Sequence, residues 1–77
     1  MITYRAMYKS LENGVHAEVL DFPGVISCGR DLDEARRMLQ SALVDVAEID
    51  LGLGESLPRP DSVITDDEAN LEEPIHL

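Results

Sequence analysis

The sequence predicts a two-layer α+β domain in the order β-β-β-α-β. In this fold class a three- to four-stranded, mostly antiparallel sheet carries one long helix on one face. Residues 2–9 and 15–20 alternate between apolar and polar side chains, which is the period of half-buried strands. Residues 35–49 instead repeat apolar side chains every three or four positions, which is the period of a helix buried on one side. The helix and the sheet would cover each other's apolar faces.

The first two strands are predicted to form a hairpin. The turn at residues 10–14 contains an Asn-Gly pair, and both residue types tolerate positive φ. Placing Tyr8 opposite Val15 puts the apolar partners of both strands on one face of the sheet. The same register places Arg5 opposite Glu18, which predicts an ion pair on the polar face.

A third strand and the start of the helix follow from local signals. The turn at residues 21–24, Asp-Phe-Pro-Gly, leads into a short apolar strand at residues 25–28. Asp31 can cap a helix that begins at the next residue, and Glu34 is placed to reach back as in a capping box. Gly52 is the expected helix stop.

The rest of the chain is assigned by its apolar stripe and its helix breakers. The predicted buried face of the helix consists of Ala35, Leu39, Ala42, Val46 and Ile49, widened by Met38 and Leu43. Two glycines and two prolines make residues 52–60 a connector. The β-branched stretch at residues 62–65 is predicted as the fourth strand, which completes a domain at residues 1–65. Residues 66–77 are predicted as an acidic C-terminal tail, loose or with one or two helical turns.

The charge balance limits the classes of partner. Sixteen acidic and six basic side chains give a formal net charge of −10, the wrong sign for direct binding to nucleic acid. Residues 45–77 contain ten of the acidic groups and a single basic one. A chain of 77 residues buries only about 60% of its unfolded surface, so we expect self-association into a homo-oligomer.

Cysteine content and hydropathy indicate the compartment. Cys28 is the only cysteine, so an intramolecular disulfide cannot form and a reducing compartment fits best. Without a neighbouring histidine, Cys28 is expected to be a small buried apolar residue rather than a nucleophile. No export signal or run of eighteen apolar residues is present, which predicts a cytoplasmic protein without a membrane partner.

Catalytic, metal-binding and cofactor-binding residues are not predicted. His16, Glu18 and Asp21 are the strongest alternative, as the acid-base or metal-ligating groups of a small hydrolase. These three are merely adjacent in sequence, whereas a reactive site requires convergent groups with perturbed properties. The acidic run at residues 66–68 lacks the alternating oxygen ligands and fixed glycine of a calcium loop.

Seven residues spread over the first half of the chain form a family pattern. They are Gly14, Asp21, Pro23, Gly24, Gly29, Glu34 and Ala35. In order and spacing this pattern, within a region from about Tyr4 to Pro60, resembles the HicB antitoxin family. The resemblance implies a partial ribonuclease-H-like fold in an antitoxin that binds and neutralises a small basic ribonuclease toxin.

The same resemblance bears on two further functions. HicB antitoxins commonly carry a second, C-terminal domain that binds operator DNA, and the twelve residues after the predicted fourth strand, five of them acidic, are too few for one. Ribonuclease H chemistry requires carboxylates that converge on two metal ions, beginning on the first strand. Residues 2–9 contain none, so the fold kinship implies no catalysis.

We therefore predict a binding protein whose acidic C-terminal half complements a basic toxin. The predicted partner-binding residues are Asp66, Asp67, Glu68, Glu72 and Glu73. The alternative is an orphan homo-oligomeric structural or adaptor module without catalytic activity, because so small a core is only marginally stable alone.

Overall fold

The computed structural model describes all 77 residues and contains four strands and one helix. In chain order these elements are β1 (Thr3–Leu11), β2 (Gly14–Val19), β3 (Ile26–Gly29), α1 (Leu32–Gly52) and β4 (Leu71–His76). The strands form one antiparallel sheet in the order β3-β2-β1-β4. The predicted α+β class and the β-β-β-α-β order are confirmed.

The hydrophobic core lies between α1 and one face of the sheet. Alternate residues of β1 and β2 supply the sheet side, and the turn after β2 closes one end with Phe22 and Val25. The rings of Tyr4 and Phe22 pack at a centroid distance of 5.2 Å. The remaining core residues are Ala6, Tyr8, Ala17, Val19, Ala35, Leu39, Leu43, Ala47 and Ile75.

The hairpin pairs two residues away from the predicted register. Tyr8 lies opposite Ala17 rather than Val15, and a two-residue turn closes the hairpin. The predicted ion pair between Arg5 and Glu18 is therefore wrong. A shift of two residues keeps every side chain on its predicted face, because the side-chain period of a strand is two. The third strand begins one residue later than predicted.

Helix α1 begins as predicted, with a modified capping box. The Asp31 carboxylate accepts a hydrogen bond from the Glu34 backbone N–H at 2.8 Å. The Glu34 carboxylate accepts from the N–H of Arg30 at 2.9 Å, one residue before the position in a standard capping box. The helix ends at Gly52, as the sequence predicts.

The buried face of α1 differs from the predicted one at its C-terminal end. The buried residues lie four apart and end at Ala47, whereas Ile49 is 60% exposed and Met38, also predicted to be covered, is 49% exposed. A helix of 21 residues is about 31 Å long, while β2 and β3, the strands that α1 mainly contacts, have six and four residues and span about 20 Å at most. The last turn of α1 therefore extends beyond the part of the sheet that could cover it.

The fourth strand lies at residues 71–76, so the prediction of a strand at residues 62–65 is wrong. β4 pairs with β1 over six residues of each strand, along the edge opposite β3. Residues 62–65 are exposed and irregular despite their β propensity. Pairing with the long β1 edge and burial of Ile75 outweigh that propensity, and the predicted acidic tail accordingly contains an edge strand.

Residues 61–70, here called the crossing segment, run over the sheet face opposite α1. At its start, the backbone N–H of the first residue donates to Asp21 at 2.9 Å. At its end, the N–H of Asn70 donates to the carbonyl of Tyr8 at 2.9 Å. Met7 points to this face and is nevertheless only 1% exposed. The crossing segment therefore gives the sheet a partial second cover.

Candidate partner-binding surface

Two of the predicted partner-binding residues are paired with a lysine of the chain itself. Asp66 and Glu68 flank the ammonium of Lys9 at 3.5 Å and 3.3 Å. The backbone N–H of Glu68 and the charge of Lys9 both lower the pKa of the Asp66 carboxyl. These two carboxylates hold the crossing segment against β1.

The carboxylate of Glu72 is likewise engaged within the chain. One of its oxygens lies 3.4 Å from the guanidinium of Arg5, and the other accepts the N–H of Asp66 at 3.4 Å. Glu72 thus joins β4, β1 and the crossing segment.

Glu73 connects β4 to the helix. Its two carboxylate oxygens accept hydrogen bonds from the Arg36 guanidinium at 2.8 Å and 3.0 Å. This paired geometry lowers the pKa of the Glu73 carboxyl. The ring of Tyr8 lies under the Arg36 guanidinium, and its burial, reinforced by the Glu73 charge, raises the pKa of Tyr8 to about 12.

Asp67 is the one member of the predicted set that has no partner within the chain. The negative charges of the other four are offset by Arg5, Lys9 and Arg36. That these residues bind a partner stays a prediction, and the structure gives four of them a role in joining β4 and the crossing segment to the rest of the fold.

Most of the unpaired negative charge lies elsewhere, at the C-terminal end of α1. Six carboxylates take part in no ion pair or hydrogen bond: Glu12, Asp45, Glu48, Asp50, Glu55 and Asp67. Four of them fall within residues 45–55, here called the helix end. Residues 38–58 contain no basic side chain, so nothing nearby in sequence offsets these charges.

The helix end also exposes large apolar side chains. Ile49, Leu51 and Leu53 are 60%, 59% and 72% exposed. Sequence reasoning missed this surface because it assigned Ile49 to the core. The signal that could have found it is the 21-residue stretch with four acidic residues and no basic one.

Asp21, a residue of the family pattern, ties three parts of the fold together. It is the one charged residue in the buried set. Its Oδ1 accepts the backbone N–H of Arg5 on β1, and its Oδ2 accepts the N–H of Asp61 on the crossing segment, both at 2.9 Å. Because both oxygens are used in this way, the structure gives Asp21 a structural role.

Two glycines of the pattern allow β3 to pack closely, one against α1 and the other against β2. A Cβ at Gly29 would lie 2.9 Å from the Cα of Ala35, so only glycine lets β3 approach the first turns of α1 so closely. A Cβ at Gly14 would lie 2.5 Å from the carbonyl oxygen of Gly29. Pro23 and Gly24 are exposed in the turn before β3, and Glu34 forms the cap described above.

The residues of the alternative hydrolase site do not converge. His16 Nε2 lies 2.9 Å from Glu18 Oε1, on the sheet face opposite α1, while Asp21 is bonded to two backbone N–H groups at the end of the sheet. No group of three or more His, Cys, Asp or Glu side chains is arranged to hold a metal ion. Cys28 is exposed, so the prediction of a buried cysteine is wrong; it lies on the short edge strand and points away from the core.

No helix of the chain combines the length and apolar character that crossing a membrane requires.

The sequence pattern of the UPF0150-like family matches residues 4–58. The chain belongs to the UPF0150-like family. No curated protein shows a significant sequence match to this family member.

Solved structures share the fold of this UPF0150-like chain. The N-terminal domain of the Burkholderia pseudomallei antitoxin HicB superposes with a TM-score of 0.76 at 21% identity, covering 99% of this chain and 98% of that one. The longer HicB structure from the same organism gives a TM-score of 0.82 at 23% identity. The match covers 100% of this chain and 64% of that one. A chain of the HicA3–HicB3 toxin–antitoxin complex gives 0.68 at 18% identity, covering 79% and 72% of the two chains.

These superpositions show that the chain shares its fold with HicB antitoxin structures, in agreement with the resemblance seen in the sequence.

Proposed function

We propose that this chain is an antitoxin-like protein-binding domain that neutralises a small basic ribonuclease toxin. The observation that carries the proposal is the fold, which superposes over the whole chain on a HicB antitoxin. A second similar structure is a toxin–antitoxin complex, which supports a small toxin protein as the partner.

The charge distribution supports a basic partner. The chain has a formal net charge of −10, and after its internal ion pairs and hydrogen bonds are formed, six carboxylates still lack a partner. A surface of this sign accelerates the approach of a basic protein and would compete with RNA for the basic surface of a ribonuclease. In this proposal the chain acts by binding, with no reaction of its own.

Growth rescue in cells tests the proposal. Any small basic open reading frame next to the gene is expressed alone, and then together with this chain. We expect the basic protein alone to stop growth and cleave cellular RNA, and co-expression of this chain to restore both growth and intact RNA.

The control is Leu39→Asp, which places a charge at a fully buried core position and should abolish both folding and rescue. Growth arrest that persists in the presence of well-expressed wild-type chain would contradict the proposal.

A homo-oligomeric structural or adaptor module is the second candidate, favoured by the free edge of the sheet. β3 pairs on one side only, and its Ile26 is 57% exposed. Sedimentation at several concentrations tests it with Ile26→Lys as the interface variant. A wild-type dimer that the variant dissociates supports this role, and a monomer at every concentration excludes it.

A further inference from the structure

The helix end, residues 45–55, combines exposed apolar side chains with unpaired acidic ones. We propose that it is a docking surface for an amphipathic helix, rich in Lys and Arg, of a partner protein. This inference rests on the proposed function for the identity of the partner, and it names the surface by which the chain would hold it.

Apart from Leu51, the exposed apolar side chains of this surface lie along one side of the helix, and they continue a stripe that begins at Met38. Met38, Ala42, Ile49 and Leu53 follow one another at intervals of four, seven and four residues, which places them on one stripe. Met38, Ile49 and Leu53 are 49%, 60% and 72% exposed. A stripe of this spacing matches the way in which one amphipathic helix packs on another.

The charges beside the stripe determine which partner it fits. Asp45 lies one helical turn before Ile49, within the line of the stripe, while Glu48 and Asp50 lie about a quarter turn to either side of Ile49 and Glu55 follows the end of the helix. None of the four contacts a basic group of this chain, in contrast to the acidic residues of β4 and of the crossing segment.

The position of these charges in the helix is unfavourable for the isolated chain. The C-terminus of a helix carries a partial negative charge, which cations stabilise and carboxylates oppose. The last turn of α1 has no basic residue. Lysine and arginine side chains from a partner would supply the missing positive charge at this point.

A second copy of this chain is a poor occupant of the same surface. Two helix ends face to face would bring eight unpaired carboxylates together around the stripe, and like charges in an interface are strongly unfavourable. An anionic lipid surface is disfavoured for the same reason. The charge therefore selects a basic protein element.

The test uses the intact, isotope-labelled chain and a synthetic 18-residue peptide with leucine and lysine at helical spacing. A peptide with glutamate in place of lysine is the control ligand. We expect the lysine peptide to shift the amide resonances of residues 45–55 at low salt, and the glutamate peptide to shift none of them. Shifts centred on Glu12 or Asp67, or no binding of the lysine peptide, would overturn the proposal.

Two matched double variants separate this surface from general acidity. Glu48→Lys with Glu55→Lys alters the helix end, and Glu12→Lys with Asp67→Lys makes the same change of charge at exposed, unpaired positions elsewhere. We expect about tenfold weaker peptide binding for the first pair and less than about twofold for the second. Equal weakening by both pairs would show that only total charge matters and would overturn the proposal.

The same variants distinguish failure of this surface from failure of the antitoxin role. If the wild-type chain rescues growth and the helix-end variant rescues equally well, the docking surface is wrong and the antitoxin role stands. If the lysine peptide docks at the helix end and no neighbouring basic protein is neutralised, the surface stands and the antitoxin role is wrong.

Discussion

Glu73 on β4 holds the guanidinium of Arg36 on α1 through two hydrogen bonds of 2.8 Å and 3.0 Å. The two residues are 37 positions apart in sequence and belong to opposite layers of the fold. Their contact fixes the last strand of the sheet to the helix as well as to β1. A stretch that reads as an acidic tail is thereby part of the folded unit.

Removing this pair should loosen β4. We expect Arg36→Ala and Glu73→Ala each to lower the urea midpoint slightly. The double variant should lose less stability than the sum of the two single losses, because both single changes break the same bonds. Hydrogen exchange of the β4 amides should accelerate in all three variants. Arg37→Ala removes a neighbouring arginine without an ion pair and should leave β4 exchange unchanged; strictly additive losses would contradict this role.

The Arg36–Glu73 pair should also make stability depend on pH in the acid range. Hydrogen bonding to Arg36 holds the pKa of the folded Glu73 carboxyl below its ordinary value of 4.5. The stability it contributes is fully present above pH 4.5 and is lost as the pH falls through the lowered pKa.

Urea unfolding of the wild-type chain and of Glu73→Gln between pH 7 and pH 3 measures this effect. The stability advantage of the wild-type chain should be constant above about pH 5 and should shrink below it. An advantage that grows as the pH falls would contradict the assignment. Glu12→Gln is the control for loss of one negative charge.

Substitution of Asp21 should lower the stability of the chain more than substitution of most other polar residues. Its carboxylate accepts backbone N–H groups from Arg5 and Asp61, and Asp21→Ala leaves both partly buried donors without their partner. We expect a loss of about 2–3 kcal/mol in the free energy of unfolding, measured with urea. Asp61→Ala is the control, because it keeps the N–H that Asp21 binds; equal losses for the two variants would refute this explanation.

Two glycines should respond in opposite directions to the same change. Gly29→Ala forces a Cβ against the backbone of Ala35, and we expect a destabilisation of about 1–3 kcal/mol as β3 and α1 move apart. Gly52→Ala meets no atom within 4 Å at the end of α1 and should stabilise by about 0.5–1 kcal/mol. Thermal or urea unfolding of the two variants checks both signs, and a neutral Gly29→Ala would contradict the close packing.

Local signals predicted the helix well and the strand pairing less well. Asp31 and Glu34 act through hydrogen bonds to residues within a few positions, so their effect can be read directly from the sequence. The hairpin register depends on a turn whose length the alternation does not determine, because two registers that differ by two residues bury the same face.

Features that depend on distant parts of the chain could not be predicted in this way. β4 contains Pro74 and two glutamates, a composition that disfavours a strand, and it forms because β1 offers a free edge. Glu72 pairs with Arg5 and Glu73 pairs with Arg36, and the partners of each pair are far apart in sequence. The sequence therefore could not show that acidic residues predicted to bind a partner are already ion-paired within the chain.

The measurement that tests the central claim most directly is the affinity of the purified chain for the product of an adjacent small basic open reading frame, determined by calorimetry over a range of salt concentrations. The claim that this chain functions by presenting an acidic surface to a basic protein predicts a tight complex at low salt, with a dissociation constant that rises steadily with ionic strength. The absence of a complex at both low and moderate salt, or an affinity that does not respond to salt, would contradict it.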